Sequence, residues 1–311
     1  MGNLRIGTSG WQYRHWRGDF YPADMTVKEW FAHYAAAFDT VEVNNTFYRL
    51  PPSEVFDQWR QRALEGFCYA VKYSRFGTHM KRLADPASHV KLFMDRAILL
   101  GEFLGPVLVQ LPPQMGADGR RLDEFLVAAG QWAKSNRAII RRRLCGSRPA
   151  GGDEDKRERD ARVTRRRDAC DTRGQDARTT RRRDACGTHG QDARDTAIRW
   201  VVEFRNAGWL CQEVYDILAR HRAALCIHDN LPDHPRILTA GFAYIRYHGT
   251  TAHGAGSYSG RQLAAESDRI CNWLSEGIDV YAYFNNDAHG HAIRNAQTLG
   301  QMIAQNIHAP V

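Results

Sequence analysis

Eight short β-rich runs in this 311-residue sequence alternate apolar with other side chains, and nearly all end on groups able to do chemistry. Because alternate residues of a strand share a face, Val41 and Val43 can turn one way and leave Glu42 and Asn44 on the other. Tyr69 and Val71 set off Lys72 in the same way, and Val107 and Val109 set off Gln110. Ile245 and Tyr247 set off Arg246 and His248, and the pattern recurs at Glu203/Arg205 and at Asn285. Glu42, Glu203 and His248 are the candidate catalytic groups, able to move protons or hold a metal. Lys72, Arg205 and Arg246 offer positive charge to an anion, and Asn44, Asn45, Gln110, Asn285, Asn286 and Asp287 offer hydrogen bonds. Glu42 or Glu203 paired with Arg246 inside the fold would equally be a structural ion pair.

A second feature is the segment HGAGSYSG over His253–Gly260, where Gly254 and Gly256 let backbone N–H groups approach an anion and Ser257 and Tyr258 add hydroxyls. Trp11, Tyr13, Trp16, Tyr21, Phe47, Tyr48 and Trp209 follow the first, second and fifth runs. Aromatics beside cations suit stacking of bases or sugars, and they would also serve as a small loop core. A divalent metal could draw on Glu42, Glu203, His228, Asp229, His248 and Asp287, hard oxygen and imidazole ligands suited to Mg, Mn or Zn. The sequence names no cofactor. A retaining glycosidase pair fits poorly, because the fourth run supplies Gln110 where an acid would be needed. Neither G-x-S-x-G nor H-E-x-x-H occurs, and no G-x-G-x-x-G follows the first run.

The elements that must position these groups alternate. Strands are predicted at Leu4–Thr8, Thr40–Asn44, Cys68–Lys72, Pro106–Gln110, Trp200–Phe204, Ala224–His228, Tyr244–His248 and Asp279–Phe284. Helices are predicted at Val27–Phe38, Glu54–Leu64, Pro86–Leu100, Arg121–Lys134, Gln212–His221, Gly260–Glu276 and His291–Gln305, with Ser53 and Asp85 as N-caps. Only the sixth connection, Asp229–Phe242, is too short and Pro-rich for a helix. Eight alternating units imply a parallel sheet closed as a single (β/α)8 TIM barrel, an α/β fold, whose sites lie at the C-terminal ends of the strands.

One stretch departs from this scheme. Arg141–Ala197 contains no Phe, Trp, Tyr, Ile or Met, and within it TRRRDACDTRGQDAR (164–178) returns as TRRRDACGTHGQDAR (180–194). Its 17 basic and 11 acidic residues account for most of the chain's net charge of +8, so the basic pI says little about partners of the barrel. Burial of Ala, Cys and Val could not offset the entropy of ordering it, and the expectation is a disordered insertion interrupting one domain (1–311) between helix 4 and strand 5. That loop belongs to the N-terminal face, away from the chemistry. Seven cysteines with no C-x-x-C pair argue against a disulfide framework or a zinc knuckle. No apolar run suggests a membrane span or a signal peptide, so the expected location is the cytoplasm, with no membrane partner.

At the same residues the chain resembles the YecE-like family of uncharacterised bacterial and archaeal proteins (domain of unknown function, number seventy-two). The resemblance rests on GTSGW (7–11), WRGDFYP (16–22), FDTVEVNNTFYRLP (38–51), FCYAVKYSRFGTH (67–79), GPVLVQLPP (105–113), VVEFRNAGW (201–209), YIRYHG (244–249) and YAYFNND (281–287). It implies a β/α barrel distantly similar to the endonuclease IV and xylose isomerase group and a site at these motifs, but no reaction. Arg141–Ala197 departs from the family, whose corresponding loop is short. The function expected is a cleft at the C-terminal face for a phosphorylated or nucleic-acid-derived ligand, in a hydrolase or related enzyme. The alternatives are a non-catalytic binder of nucleic acid or of a phosphorylated ligand, and a metal-dependent sugar or phosphoester enzyme.

Overall fold

Strand β1 (Leu4–Thr8) begins an eight-stranded sheet, and the computed structural model describes residues 1–144, 198–251 and 256–308. The repeat tract expected to be disordered therefore lies outside the described residues, as does Gly254. After β1 come α1 (Trp30–Ala37), β2 (Thr40–Val43), α2 (Ser53–Arg62), β3 (Cys68–Lys72), α3 (Pro86–Ala97) and β4 (Leu104–Gln110). Helix α4 (Gly119–Ser135) and α5 (Arg137–Leu144) precede β5 (Trp200–Glu203), α6 (Gln212–Arg220), β6 (Ala224–His228), β7 (Phe242–Tyr247), α7 (Gly260–Ser275), β8 (Asp279–Phe284) and α8 (His291–His308). The eight strands are parallel in the order β1-β8-β7-β6-β5-β4-β3-β2 and form a nearly closed barrel with helices outside. Four strands (β1, β3, β6 and β8) have the bounds that the alternation predicts, and no helix follows β6.

Three local expectations are corrected. Ser53 is the first residue of α2 and Pro52 holds the cap position. Asp85 does precede Pro86, but in a left-handed conformation with no side-chain bond to the helix. Arg141 to Leu144 are helical, because Ile140 is buried and anchors α5, so the barrel extends four residues into the stretch read as insertion.

The seam between β1 and β2 decides the closure. No ladder joins these strands, only a bridge between Ser9 and Glu42. Tyr34, buried on α1, inserts its hydroxyl between them, accepting from the Thr8 N–H at 3.0 Å and donating to the Thr40 carbonyl at 3.0 Å. Gly7 permits the approach, since a Cβ there would lie 2.3 Å from the Thr40 carbonyl oxygen. Tyr283 crosses the same gap, its hydroxyl 2.7 Å from Thr40 Oγ1.

Inside the barrel Ala70, Leu108, Val201, Ala224, Cys226, Tyr244 and Tyr283 form an apolar layer. Above it, one pleat nearer the C-terminal ends, stand Glu42, Lys72, Gln110, Glu203 and Arg246. At the opposite pole Leu144 and Ile198 border a common cavity with the strand starts Asn3, Arg5, Cys68 and Asp279, so the chain leaves and rejoins the barrel at neighbouring points.

Two outcomes follow. Tyr34→Phe deletes the bridge and leaves a buried donor and acceptor unpaired, which should cost about 2 kcal/mol in urea unfolding; an unchanged midpoint would remove the bridge from the account of closure. Replacing residues 145–197 by a short Gly-Ser linker should leave the far-UV spectrum and melting temperature of the barrel unchanged within a few degrees, since Leu144 and Ile198 share a wall.

Candidate functional site

Arg246 on β7 is 1% exposed and its guanidinium joins two carboxylates: Nη1 donates to Glu203 Oε2 at 2.5 Å and Nη2 to Glu42 Oε1 at 2.8 Å. Glu42 also accepts from Tyr244 at 2.7 Å and from the Ser9 hydroxyl. That hydroxyl in turn accepts from Arg246 at 3.2 Å and from the Asn44 amide at 2.8 Å. The other Glu203 oxygen meets the Arg205 guanidinium, and His248 Nε2 lies 3.4 Å from it. Both glutamates are fully buried.

Electrostatics fixes the charge states. Burial alone would raise both glutamates, but Arg246, with Arg205 beside Glu203 and the Ser9 and Tyr244 hydroxyls on Glu42, holds both below the usual carboxylate range. His248 is pushed down to about 4, first by burial and then by Arg246, against the raising effect of Glu203, so its imidazole is neutral at pH 7. Lys72 falls to about 8 through burial and the repulsion of Arg246, only partly offset by Glu203 and Glu42.

Lys72 opens a different environment. Its ammonium lies 4.2 Å over the Phe47 ring, and among the described residues Nζ makes no hydrogen bond or ion pair. It lines a cavity of about 360 Å³ at the C-terminal face. Strand ends provide the floor through Lys72, Gln110, Arg246 and Asn285, and the loops after β1 and β2 provide walls through Trp11, Gln12, Tyr13, Asn44, Asn45 and Tyr48. Asn44 Oδ1 is buried in this wall without a partner among the described residues.

The structure thus brings Trp11, Asn44, Asn45, Lys72, Gln110, Arg246 and Asn285 to one cavity, while Glu42, Glu203 and His248 lie outside its lining. The loop after β7 serves a different network. Tyr258 donates to Asp229 and accepts from the Gly249 N–H at 2.7 Å, while Asp229 accepts from the His248 N–H at 2.8 Å. Buried Asn286 donates to the Gly256 carbonyl at 2.9 Å and to Asn295 at 3.0 Å, and Ser257 Oγ accepts from Asn295 Nδ2 at 3.1 Å. The Asp287 carbonyl accepts from Trp16 Nε1 at 3.1 Å. These loop residues hold one another in place and leave the cavity to the first two loops. Most of the aromatics are a loop core: Trp11, Trp16, Tyr21, Phe47 and Trp209 are buried, with an edge of Trp11 in the cavity wall, and Tyr13 and Tyr48 are the more open ones there. Tyr73 and His89, joined at 2.6 Å beneath the third loop, escaped the sequence reading, since one follows a strand and the other sits within a helix, and nothing in the sequence spacing pairs them.

Of the metal ligands considered, Glu203, His228 and His248 come within reach of one another. The donor set is nevertheless a poor cage. His228 donates from Nε2 to the Phe204 carbonyl at 2.8 Å and accepts from the Asn230 N–H at 3.2 Å, leaving no free nitrogen. Both Glu203 oxygens face guanidinium groups.

Residues 5–310 match the family described as "Protein of unknown function DUF72". The chain belongs to the DUF72 family. A similar curated protein, UPF0759 protein YecE of Escherichia coli (strain K12), is 32% identical over 113 residues, covering 36% of this chain and 39% of that protein. A crystallised DUF72 family protein of Thermotoga maritima MSB8 superposes with a TM-score of 0.68 at 21% identity, covering 97% of this chain and 99% of that one. Another from Enterococcus faecalis V583 gives 0.62 at 16% identity, covering 97% and 95%. These likenesses share the barrel, and the DUF72 description carries no reaction. Among the described residues no helix is long and apolar enough to cross a membrane.

The buried network makes its own prediction. Arg246→Met leaves Glu42 and Glu203 buried without their common cation, and stability should fall by about 3–5 kcal/mol. A chemical-denaturation midpoint equal to the parent's would mean that the carboxylates do not depend on Arg246.

Proposed function

We propose that the DUF72 barrel is an enzyme that takes a small phosphorylated or nucleotide-derived ligand into the cleft between its first two loops, with Lys72 as the group that exchanges a proton with it. The observation that carries this reading is Lys72 itself, 9% exposed, unpaired among the described residues and facing the cavity. A lysine so placed weakens the fold, and a position that lowers stability is common where a group serves a ligand. With His248 neutral, Arg205, Arg246 and Lys72 against Glu42 and Glu203 leave one unit of positive charge, which suits a ligand carrying negative charge. Asn44, Asn45, Gln110 and Asn285 present amides to hydroxyls or base edges, and Tyr13 and Tyr48 offer faces for a sugar or base. A metal-dependent reaction is less well supported, because the His228 nitrogens are both engaged. Binding of a longer nucleic acid gains some support from exposed Tyr48, Arg49, Arg75, Phe76 and Lys81 on the adjoining loops.

The lysine's titration supplies the test. Folding lowers it from 10.5 to about 8, so below pH 8 the native state bears a cost of roughly 3 kcal/mol. As pH rises from 8 toward 10.5 the unfolded chain holds the extra proton, and the cost disappears. Lys72→Met should therefore be more stable than the parent at pH 7, by about 2 kcal/mol after loss of the ring contact, with the advantage fading at alkaline pH. Ribose 5-phosphate should raise the melting temperature of the parent and much less that of the variant. A variant less stable than the parent at pH 7, or a parent indifferent to the sugar phosphate, would remove the support for this reading.

A further inference from the structure

Lys28, Lys81, Lys91 and Lys134 are exposed to solvent, whereas Lys72 is 9% exposed and opens onto a cavity. The carboxylates beneath it face other cations: Glu42 is held by Arg246, and Glu203 by Arg246 and Arg205. The side chain that covers it is the Phe47 ring, 4.2 Å away, which has no proton to give or take. A buried lysine without a carboxylate partner, set between the Arg246 and Arg205 guanidinium groups and the Phe47 ring, is the arrangement that favours a free amine. We propose that Lys72 is a nucleophile that condenses with an aldehyde or ketone group of the ligand and holds it as an imine. This rests on the cleft being a ligand site, as above, and adds the substrate class and the bond formed.

The step balances within the cavity. The Nζ lone pair attacks the carbonyl carbon, a C–N bond forms, and the C=O π electrons move to oxygen, which takes up the proton lost by nitrogen. The resulting carbinolamine expels its hydroxyl with a second N–H proton as water, leaving C=N; no oxidant or reductant is consumed. Gln110, Asn285 and Asn44 line the same cavity and carry amide groups that can donate to the carbonyl oxygen as charge develops there. The lowering of Lys72 to about 8 supports the assignment, since roughly a tenth of the lysine is then free amine at pH 7, hundreds of times more than for an ordinary lysine.

The experiment is reductive trapping on the full chain. Dihydroxyacetone phosphate and, separately, glycolaldehyde are incubated with the protein at pH 7, sodium cyanoborohydride is added, and adducts are mapped by peptide mass spectrometry. The expected result is an adduct on the Lys72 peptide forming at least tenfold faster than on Lys28, Lys81, Lys91 or Lys134. Lys72→Arg keeps the charge and should carry no adduct at that peptide; Lys72→Met serves if the larger side chain disturbs folding. Labelling of Lys72 no faster than the exposed lysines overturns the proposal. Melting curves with the same probes, without the reductant, separate the two claims. Stabilisation with no adduct keeps the ligand site and removes the imine, whereas neither stabilisation nor adduct removes both.

Discussion

A guanidinium shared by two carboxylates in an interior closed to solvent organises this molecule. Arg246 reaches from β7 to Glu42 on β2, to Glu203 on β5 and to Ser9 just past β1, so one side chain ties four places around the barrel. Two of them, Ser9 and Glu42, face each other across the seam where the backbone ladder fails. Polar closure at the C-terminal level and the Tyr34 bridge one step below do together what hydrogen bonds between β1 and β2 would otherwise do. Charged side chains in a low-dielectric interior are costly unless matched, and both glutamates are matched by Arg246, with Arg205 extending the matching from Glu203 to the barrel's rim. The same arrangement leaves Lys72 beside a network already balanced without it, so burial and the repulsion of Arg246 leave its proton loosely held.

The C-terminal face is divided. On one side the loops after β6, β7 and β8 are fastened to each other and to α8 by Tyr258, Asp229, Asn286 and Asn295. On the other, the loops after β1 and β2 are held from beneath by packed aromatics, Trp16 against Tyr13 and Tyr21 stacked on Trp30, and leave space above the strands. In barrels generally the last two loops commonly hold a phosphate. Here, among the described residues, their polar groups are largely engaged with one another, so the open volume lies with the first loops, where Asn44 Oδ1 has no partner.

Period-two alternation was enough to read the sheet, and it placed Glu42, Lys72, Gln110 and Arg246 on the inner face, because a strand's pleat assigns faces without knowledge of distance. It could not tell that both carboxylates would meet one arginine, since their separation depends on shear and closure across strands far apart in sequence. Tyr34 was invisible for a related reason: an aromatic in an amphipathic helix reads as packing, and its hydroxyl gains meaning only beside Thr8 and Thr40. Composition misled at Arg141–Leu144, where a run of arginines hid the last turn of α5. The glycine loop after β7 suggested an anion cradle by its residue types, yet Gly256, Ser257 and Tyr258 find their partners in Asn286, Asn295 and Asp229.

Leu144 and Ile198 border one cavity at the pole opposite the cleft. A barrel built this way has, in effect, a pair of neighbouring ends at this junction. New ends could be cut at this junction and the old ones joined, or a foreign domain spliced in, with the strands still pairing in their present order. Lengthening by unequal exchange of a short repeat would meet the same tolerance. The architecture therefore offers a graft point at the pole away from Lys72, where chain length can change while the strands keep their order.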